Sequence, residues 1–94
     1  MTETPREKAG KYLESIGTVL SSIEISKVTP NINERSIRSV ITAARLYVED
    51  AKHYLEEKPS TALAAVSYAE GLLDALRLLG MVKFTWPEVR GEKH

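Results

Sequence analysis

Cysteine is absent from this sequence, which excludes disulfide bonds, thiolate metal sites and cysteine nucleophiles together. The absence also fits a reducing compartment, so we expect a cytoplasmic protein. Long apolar runs are missing as well, because the longest candidate, Leu72 to Val82, is interrupted by Asp74 and Arg77. The N-terminal segment has no apolar stretch of the kind that a signal peptide needs. We therefore expect no association with a membrane.

An excess of charge of either sign is missing too. Lys and Arg number 13, as do Asp and Glu, so the formal net charge is zero. Nucleic acids and anionic membrane surfaces attract basic proteins. We therefore do not expect nucleic acid as a partner, and nucleic-acid binding is the weakest of the functions considered below.

A recognisable catalytic apparatus is also missing. The five glycines are scattered and form no phosphate-binding loop. His94 is the last residue and His53 is predicted to point away from the apolar side of its helix, so neither is a candidate general base. Asp50 and His53 have the i,i+3 spacing of a metal pair in helical bundles, but such sites need several inward carboxylates. We expect no catalytic residue, no metal, no cofactor and no enzymatic activity.

What the sequence does contain is apolar periodicity of the helical kind. Apolar residues recur at steps of three and four along three stretches, which places them on one side of each predicted helix. Thr4 with Glu7, and Asn31 with Glu34, are capping patterns at the start of the first two helices, and Gly80 is the predicted cap at the end of the third.

These signals predict one all-α domain over residues 1–94. The break at Pro59 is short, so the second and third helices should form an antiparallel hairpin. The predicted fold is a three-helix bundle with an extended, unpaired C-terminal tail. The expected ranges are 5–25, 31–57 and 60–79 for the helices and 81–94 for the tail.

The third predicted helix has more apolar residues than one core stripe requires. A helix that is apolar most of the way round is normally buried on more than one side. Either the first helix covers this second side, or the second side is an interface with another copy or another protein. The C-terminal tail adds two aromatic residues, and Trp is a frequent interface anchor. The candidate interface residues are Leu63, Ala64, Gly71, Ala75, Leu78, Phe84 and Trp86.

A second candidate cluster combines one acid with three tyrosines. Asp50 lies beside Tyr47 and Tyr54 on the second helix and falls roughly level with Tyr68 on the third. A buried tyrosine hydroxyl needs an acceptor, so we predict a hydrogen bond from Tyr68 to Asp50. The cluster is either a polar pocket or a structural hydrogen bond that fixes helix register.

Two further acids, Glu70 and Asp74, lie one helical turn apart, as a divalent cation would require. Arg77 lies one turn beyond Asp74 and can neutralise it. We therefore expect a surface ion pair between Asp74 and Arg77 in preference to a metal site.

Two segments of the predicted hairpin carry a family resemblance. They are Tyr47-Val48-Glu49-Asp50-Ala51-Lys52-His53-Tyr54-Leu55 and Ser67-Tyr68-Ala69-Glu70-Gly71-Leu72-Leu73-Asp74-Ala75-Leu76, followed by Leu79-Gly80. The hairpin resembles a family of short archaeal proteins known as domain of unknown function 357, which implies a compact helical bundle in an archaeal cytoplasm and transfers no activity. Such domains accompany nucleotidyltransferase-like domains in some proteins, which would imply an accessory role.

The same hairpin is distantly similar to the HEPN helical domains, some of which are RNases. Their catalytic motif is an Arg followed four to six residues later by a His. Seven residues separate Arg45 from His53, and three separate Arg90 from His94. Neither pair fits the motif, so the likeness does not imply RNase activity.

The sequence thus favours a helical protein-interaction or accessory module that either self-associates or docks to a larger protein. The alternative is a small-molecule or nucleotide-binding helical domain that uses the flank formed by Asp50 and the tyrosines.

Overall fold

The computed structural model describes residues 2–26 and 32–87. It contains three helices, which hold 73% of those residues and confirm the predicted all-α fold. The predicted cap Asn31, the pair Arg90 and His94, and the tail after residue 87 lie outside the described residues. The elements are α1 (Pro5–Ser22), β1 (Glu24–Ile25), α2 (Glu34–Tyr54), α3 (Pro59–Leu78) and β2 (Val82–Lys83).

Helix α1 begins where the sequence predicts and ends earlier. The Glu7 backbone N–H donates to Thr4 Oγ1 over 3.1 Å, and the Thr4 N–H donates to Glu7 Oε1 over 2.9 Å, which completes a capping box. The helix ends at Ser22 because Ile23 has extended dihedral angles, φ −64° and ψ 137°. The predicted continuation to residue 25 is therefore wrong.

The segment after α1 is a strand that pairs with the tail. Strands β1 and β2 are antiparallel, with Glu24 opposite Lys83 and Ile25 opposite Val82. The Ser26 backbone N–H donates to the Met81 carbonyl over 3.0 Å, which extends the pairing by one bond. The tail is extended as predicted, but the expectation that it has no partner is wrong. Helices α1 and α3 both end at this end of the molecule, which brings the two segments together.

The other helix ends follow their capping chemistry. The N-cap of α2 is Asn33, whose Oδ1 accepts from the Ser36 N–H over 2.9 Å, so α2 begins at Glu34 rather than at residue 31. At the end of α3, Gly80 has φ +78°, a conformation that glycine adopts without strain. The Gly80 N–H donates to the Arg77 carbonyl, and the Met81 N–H donates to the Leu76 carbonyl over 2.9 Å. This pair of bonds is a Schellman motif, and it confirms the predicted cap.

Helix α3 is the central element of the bundle. It packs extensively on both α2 and α1, whereas α1 and α2 contact each other little. Two polar bonds tie α1 to the α2–α3 hairpin: Arg6 Nε donates to Glu56 Oε1 in the turn after α2 over 2.8 Å, and Arg45 Nη2 of α2 donates to the Leu20 carbonyl over 3.0 Å. The helical core residues are Ala9, Tyr12, Ile16, Val19, Leu20, Ile37, Ile41, Ala44, Val48, Ala51, Ala62, Val66, Ala69, Leu73 and Leu76.

The shape that results is long and flat, with extents of 48 × 25 × 17 Å. Across residues 2–26 and 32–87, we find no helix whose length and apolar character would let it span a bilayer.

Candidate functional site

One side of α3 faces solvent and is free of charge. Its residues recur at alternating steps of four and three, which places them on one side of a helix. All of them are exposed, and the two largest, Tyr68 and Leu78, are 55% and 76% exposed. We call this surface the outer face of α3, and it consists of Ala64, Tyr68, Gly71, Ala75 and Leu78.

Helix α1 does not cover this face. Of the five α3 candidates, Leu63 is partly buried and packs on the core, so it belongs to the interior of the bundle. Ala64, Gly71, Ala75 and Leu78 stay exposed. The structure therefore places four of the predicted interface residues on one open surface of the described chain.

Further exposed apolar residues extend this surface. Tyr47 of α2 packs on Tyr68, with ring centroids 4.5 Å apart. Leu79 is 64% exposed because α3 ends at Leu78 and the chain turns there. The sequence analysis did not assign Tyr68 to the interface. The same alternating steps of four and three, counted from Ala64, reach Tyr68 first.

The tail packs on its own chain. Phe84 and Trp86 are partly buried against the core, with ring centroids 5.0 Å apart. Trp86 Nε1 donates to Asp74 Oδ1 over 2.7 Å. The predicted ion pair between Arg77 and Asp74 is confirmed, at 3.3 Å, and the Arg77 guanidinium lies 5.8 Å from the centre of the Phe84 ring. Part of the Phe84 ring and part of the Trp86 ring are thus already buried within the monomer.

The predicted cluster around Asp50 does not form as expected. Asp50 is exposed, and among the hydrogen bonds of the described residues none joins it to Tyr68. The prediction of that bond is wrong, because Tyr68 packs on the Tyr47 ring instead. Tyr54 lies further along α2, where its ring contacts His53 and the Lys58 ammonium. The structure brings only Tyr47 and Tyr68 together.

The outer face presents apolar surface and a single hydroxyl group. It contains only aliphatic side chains, a glycine and one phenol, and His53 is exposed on another helix. Away from the outer face, the hydrogen bond with Arg6 lowers the pKa of Glu56, and the hydrogen bond from the Thr4 N–H lowers the pKa of Glu7.

Comparison with known proteins identifies a family. A family model described as a protein of unknown function (DUF357) matches residues 11–82, a span that includes the whole outer face and confirms the predicted resemblance. No curated protein and no solved structure matches the chain. The likeness to HEPN domains and the archaeal origin stay predictions.

Proposed function

The chain belongs to the DUF357 family, and from this premise and the geometry above we propose that it is a non-enzymatic helical module that binds protein through the outer face of α3. The proposal includes the cytoplasmic setting that the sequence favours. One observation carries it: within the described chain, an uncharged, apolar helix face remains open after α1, α2 and residues 81–87 have packed.

The composition of the outer face supports protein binding. The buried centres of protein interfaces are depleted of charged residues and enriched in tyrosine. The outer face has no charged residue, and Tyr68 lies near its middle. Of the exposed large apolar side chains, Tyr47, Tyr68, Leu78 and Leu79 all lie on this face or border it, and Leu46 is the exception. Contiguous apolar surface of this kind marks interaction sites in soluble proteins.

The face also favours a helical or flat partner over a small molecule. Small-molecule sites are concave, with a few polar groups that converge on the ligand. Tyr47 and Tyr68 lie on an open surface, and the exposed Asp50 does not converge with them. These features favour a protein partner over the small-molecule alternative.

Site-specific photo-crosslinking tests the proposal in the organism that encodes the chain. Tyr68 is replaced by a photoreactive benzophenone amino acid, and Glu14, an exposed residue of α1, is replaced by the same group as a control. We expect irradiation to attach a discrete protein to position 68 and not to position 14. Adding Leu78→Glu should abolish the product, because a charge would be buried at the contact.

Two outcomes would contradict the proposal. Equal yields at positions 68 and 14 would show that the outer face has no special role. A product at position 68 that survives Leu78→Glu would show that contact does not depend on this face.

A further inference from the structure

The structure also indicates what covers the outer face. Resting on the function proposed above, we propose that its occupant is a second copy of this chain, packed antiparallel and related by a two-fold axis that passes close to Gly71. The two α3 helices would contact each other along about 21 Å, the length of 14 helical steps from Ala64 to Leu78.

Large and small side chains are ordered along the outer face so that, when two copies run in opposite directions, large residues of one fall opposite small residues of the other. Counted from Gly71, Ala64 and Leu78 lie seven residues away in opposite directions, and Tyr68 and Ala75 lie three and four away. An antiparallel pair centred on Gly71 therefore places Leu78 on the partner's Ala64 and Tyr68 on the partner's Ala75. Each large side chain meets a small one, as a two-fold interface requires.

Gly71 permits the closest approach at the centre. A Cβ added there would meet nothing within 4 Å in the monomer, so intramolecular packing does not require glycine. Glycine in the middle of a helix is unfavourable relative to alanine. In the proposed dimer, the two Gly71 residues face each other across the axis, where a side chain would hold the helices apart.

The distribution of charge selects the antiparallel orientation. In the described chain, the half that contains the α2–α3 turn has an excess of acidic residues, and the half that contains β1 and β2 has an excess of basic residues. An antiparallel pair places unlike halves together, whereas a parallel pair would place like halves together. Each excess is one charge, because Glu14, Arg45 and Glu70 lie near the middle of their helices and belong to neither half. The first half holds Glu3, Glu7, Glu49, Asp50, Glu56 and Glu57 with Arg6, Lys8, Lys11, Lys52 and Lys58; the second holds Arg35, Arg38, Arg77 and Lys83 with Glu24, Glu34 and Asp74.

Sedimentation equilibrium tests the dimer. The wild type should approach twice the monomer mass of 10.5 kDa as its concentration rises, and added salt should raise the dissociation constant. Gly71→Leu should give a monomer with unchanged helical circular dichroism. Gly17→Leu is the matched control, because Gly17 is an exposed glycine of α1 where an added Cβ also meets nothing within 4 Å. It should leave the dimer intact. If Gly71→Leu loses helical signal, Leu78→Glu replaces it as the monomer-forming variant.

Cross-linking tests the orientation, and the absence of native cysteine makes the assay free of background. Ala64→Cys and Leu78→Cys chains of different tag length are mixed and treated with a short bis-maleimide. The antiparallel pair predicts a product between the two variants and little product within either variant alone. Products within each variant alone would show a parallel pair and overturn the proposal.

Failure of the dimer can be told apart from failure of the proposed function. A wild type that is monomeric at every concentration, or a dimer unaffected by both Gly71→Leu and Leu78→Glu, overturns self-association through this face. The photo-crosslink at position 68 then decides the rest. A product with another protein keeps the interaction function, and no product removes both.

Discussion

At the scale of single residues, the least expected side chain is Ser15. Ser15 is 0% exposed, and within the described part of the chain its Oγ has no hydrogen-bond partner. Ser15 lies on the buried side of α1 between Tyr12 and Val19. The apolar periodicity of the sequence predicts apolar residues on that side. A buried hydroxyl without a partner destabilises the folded state.

Ser15→Ala should therefore stabilise the protein by about 1 kcal/mol, since it removes the unpaired hydroxyl and improves helix propensity. Ser39→Ala is the matched control, because Ser39 is an exposed helical serine whose Oγ donates to the Arg35 carbonyl over 3.0 Å. It should gain about 0.5 kcal/mol or less from propensity alone. Urea unfolding measures both values. A loss of stability in Ser15→Ala would show that the hydroxyl has a partner in solution.

At the scale of elements, the start of α1 makes stability depend on pH. The hydrogen bond from the Thr4 N–H lowers the pKa of Glu7 below its ordinary value of 4.5. A group whose pKa is lower in the folded state contributes its stabilisation above the unfolded pKa and loses it as pH falls through the folded pKa. Glu56, whose pKa the hydrogen bond with Arg6 lowers, acts in the same direction.

The free energy of unfolding should thus decrease as pH falls below about 4.5, and part of that decrease should be traceable to Glu7. Glu7→Gln keeps an oxygen that can accept from Thr4 but does not titrate, so its stability should decline less steeply in acid. Denaturant unfolding at a series of pH values measures the difference. Identical acid slopes for the wild type and Glu7→Gln would show that this cap does not form in solution.

The tail is the second element with a measurable role. Trp86→Phe keeps a ring beside Phe84 but loses the bond to Asp74, and we expect a loss of about 1 kcal/mol. Trp86→Ala should cost roughly 2 kcal/mol, because it also removes a partly buried ring. A double-mutant cycle with Asp74→Ala isolates the Trp86–Asp74 coupling. Neither Trp86 variant should change the oligomeric state, and one that did would make the tail part of the interface.

At the scale of the whole molecule, the sequence predicts those features, such as helix caps, that depend on residues close together in the chain. Thr4, Glu7 and Gly80 form caps with residues a few positions away, so the three helices could be recognised. The pairing of Glu24 with Lys83 was not predicted, because strands of two residues show no periodicity and their partner is distant in the chain.

The candidate site was only half predictable for a similar reason. The pattern of α3 identifies an apolar second side, but it does not say on which side α1 packs. The error at Asp50 arose from side-chain geometry: hairpin register places Tyr47, Asp50 and Tyr68 at similar height, and only the structure shows that the Tyr68 ring lies on Tyr47.

The central position of α3 has a consequence for the order in which the protein folds during synthesis. Helix α1 leaves the ribosome first, yet its principal packing partner, α3, leaves last. The α2–α3 hairpin closes a short loop and can form as soon as both helices are outside. Until then, Ile16 and Val19 of α1 have no core to enter, and the pairing of β1 with β2 must follow later still. Nascent chains therefore expose the apolar side of α1 until translation has passed the end of α3, and this is the interval in which a chaperone would bind them.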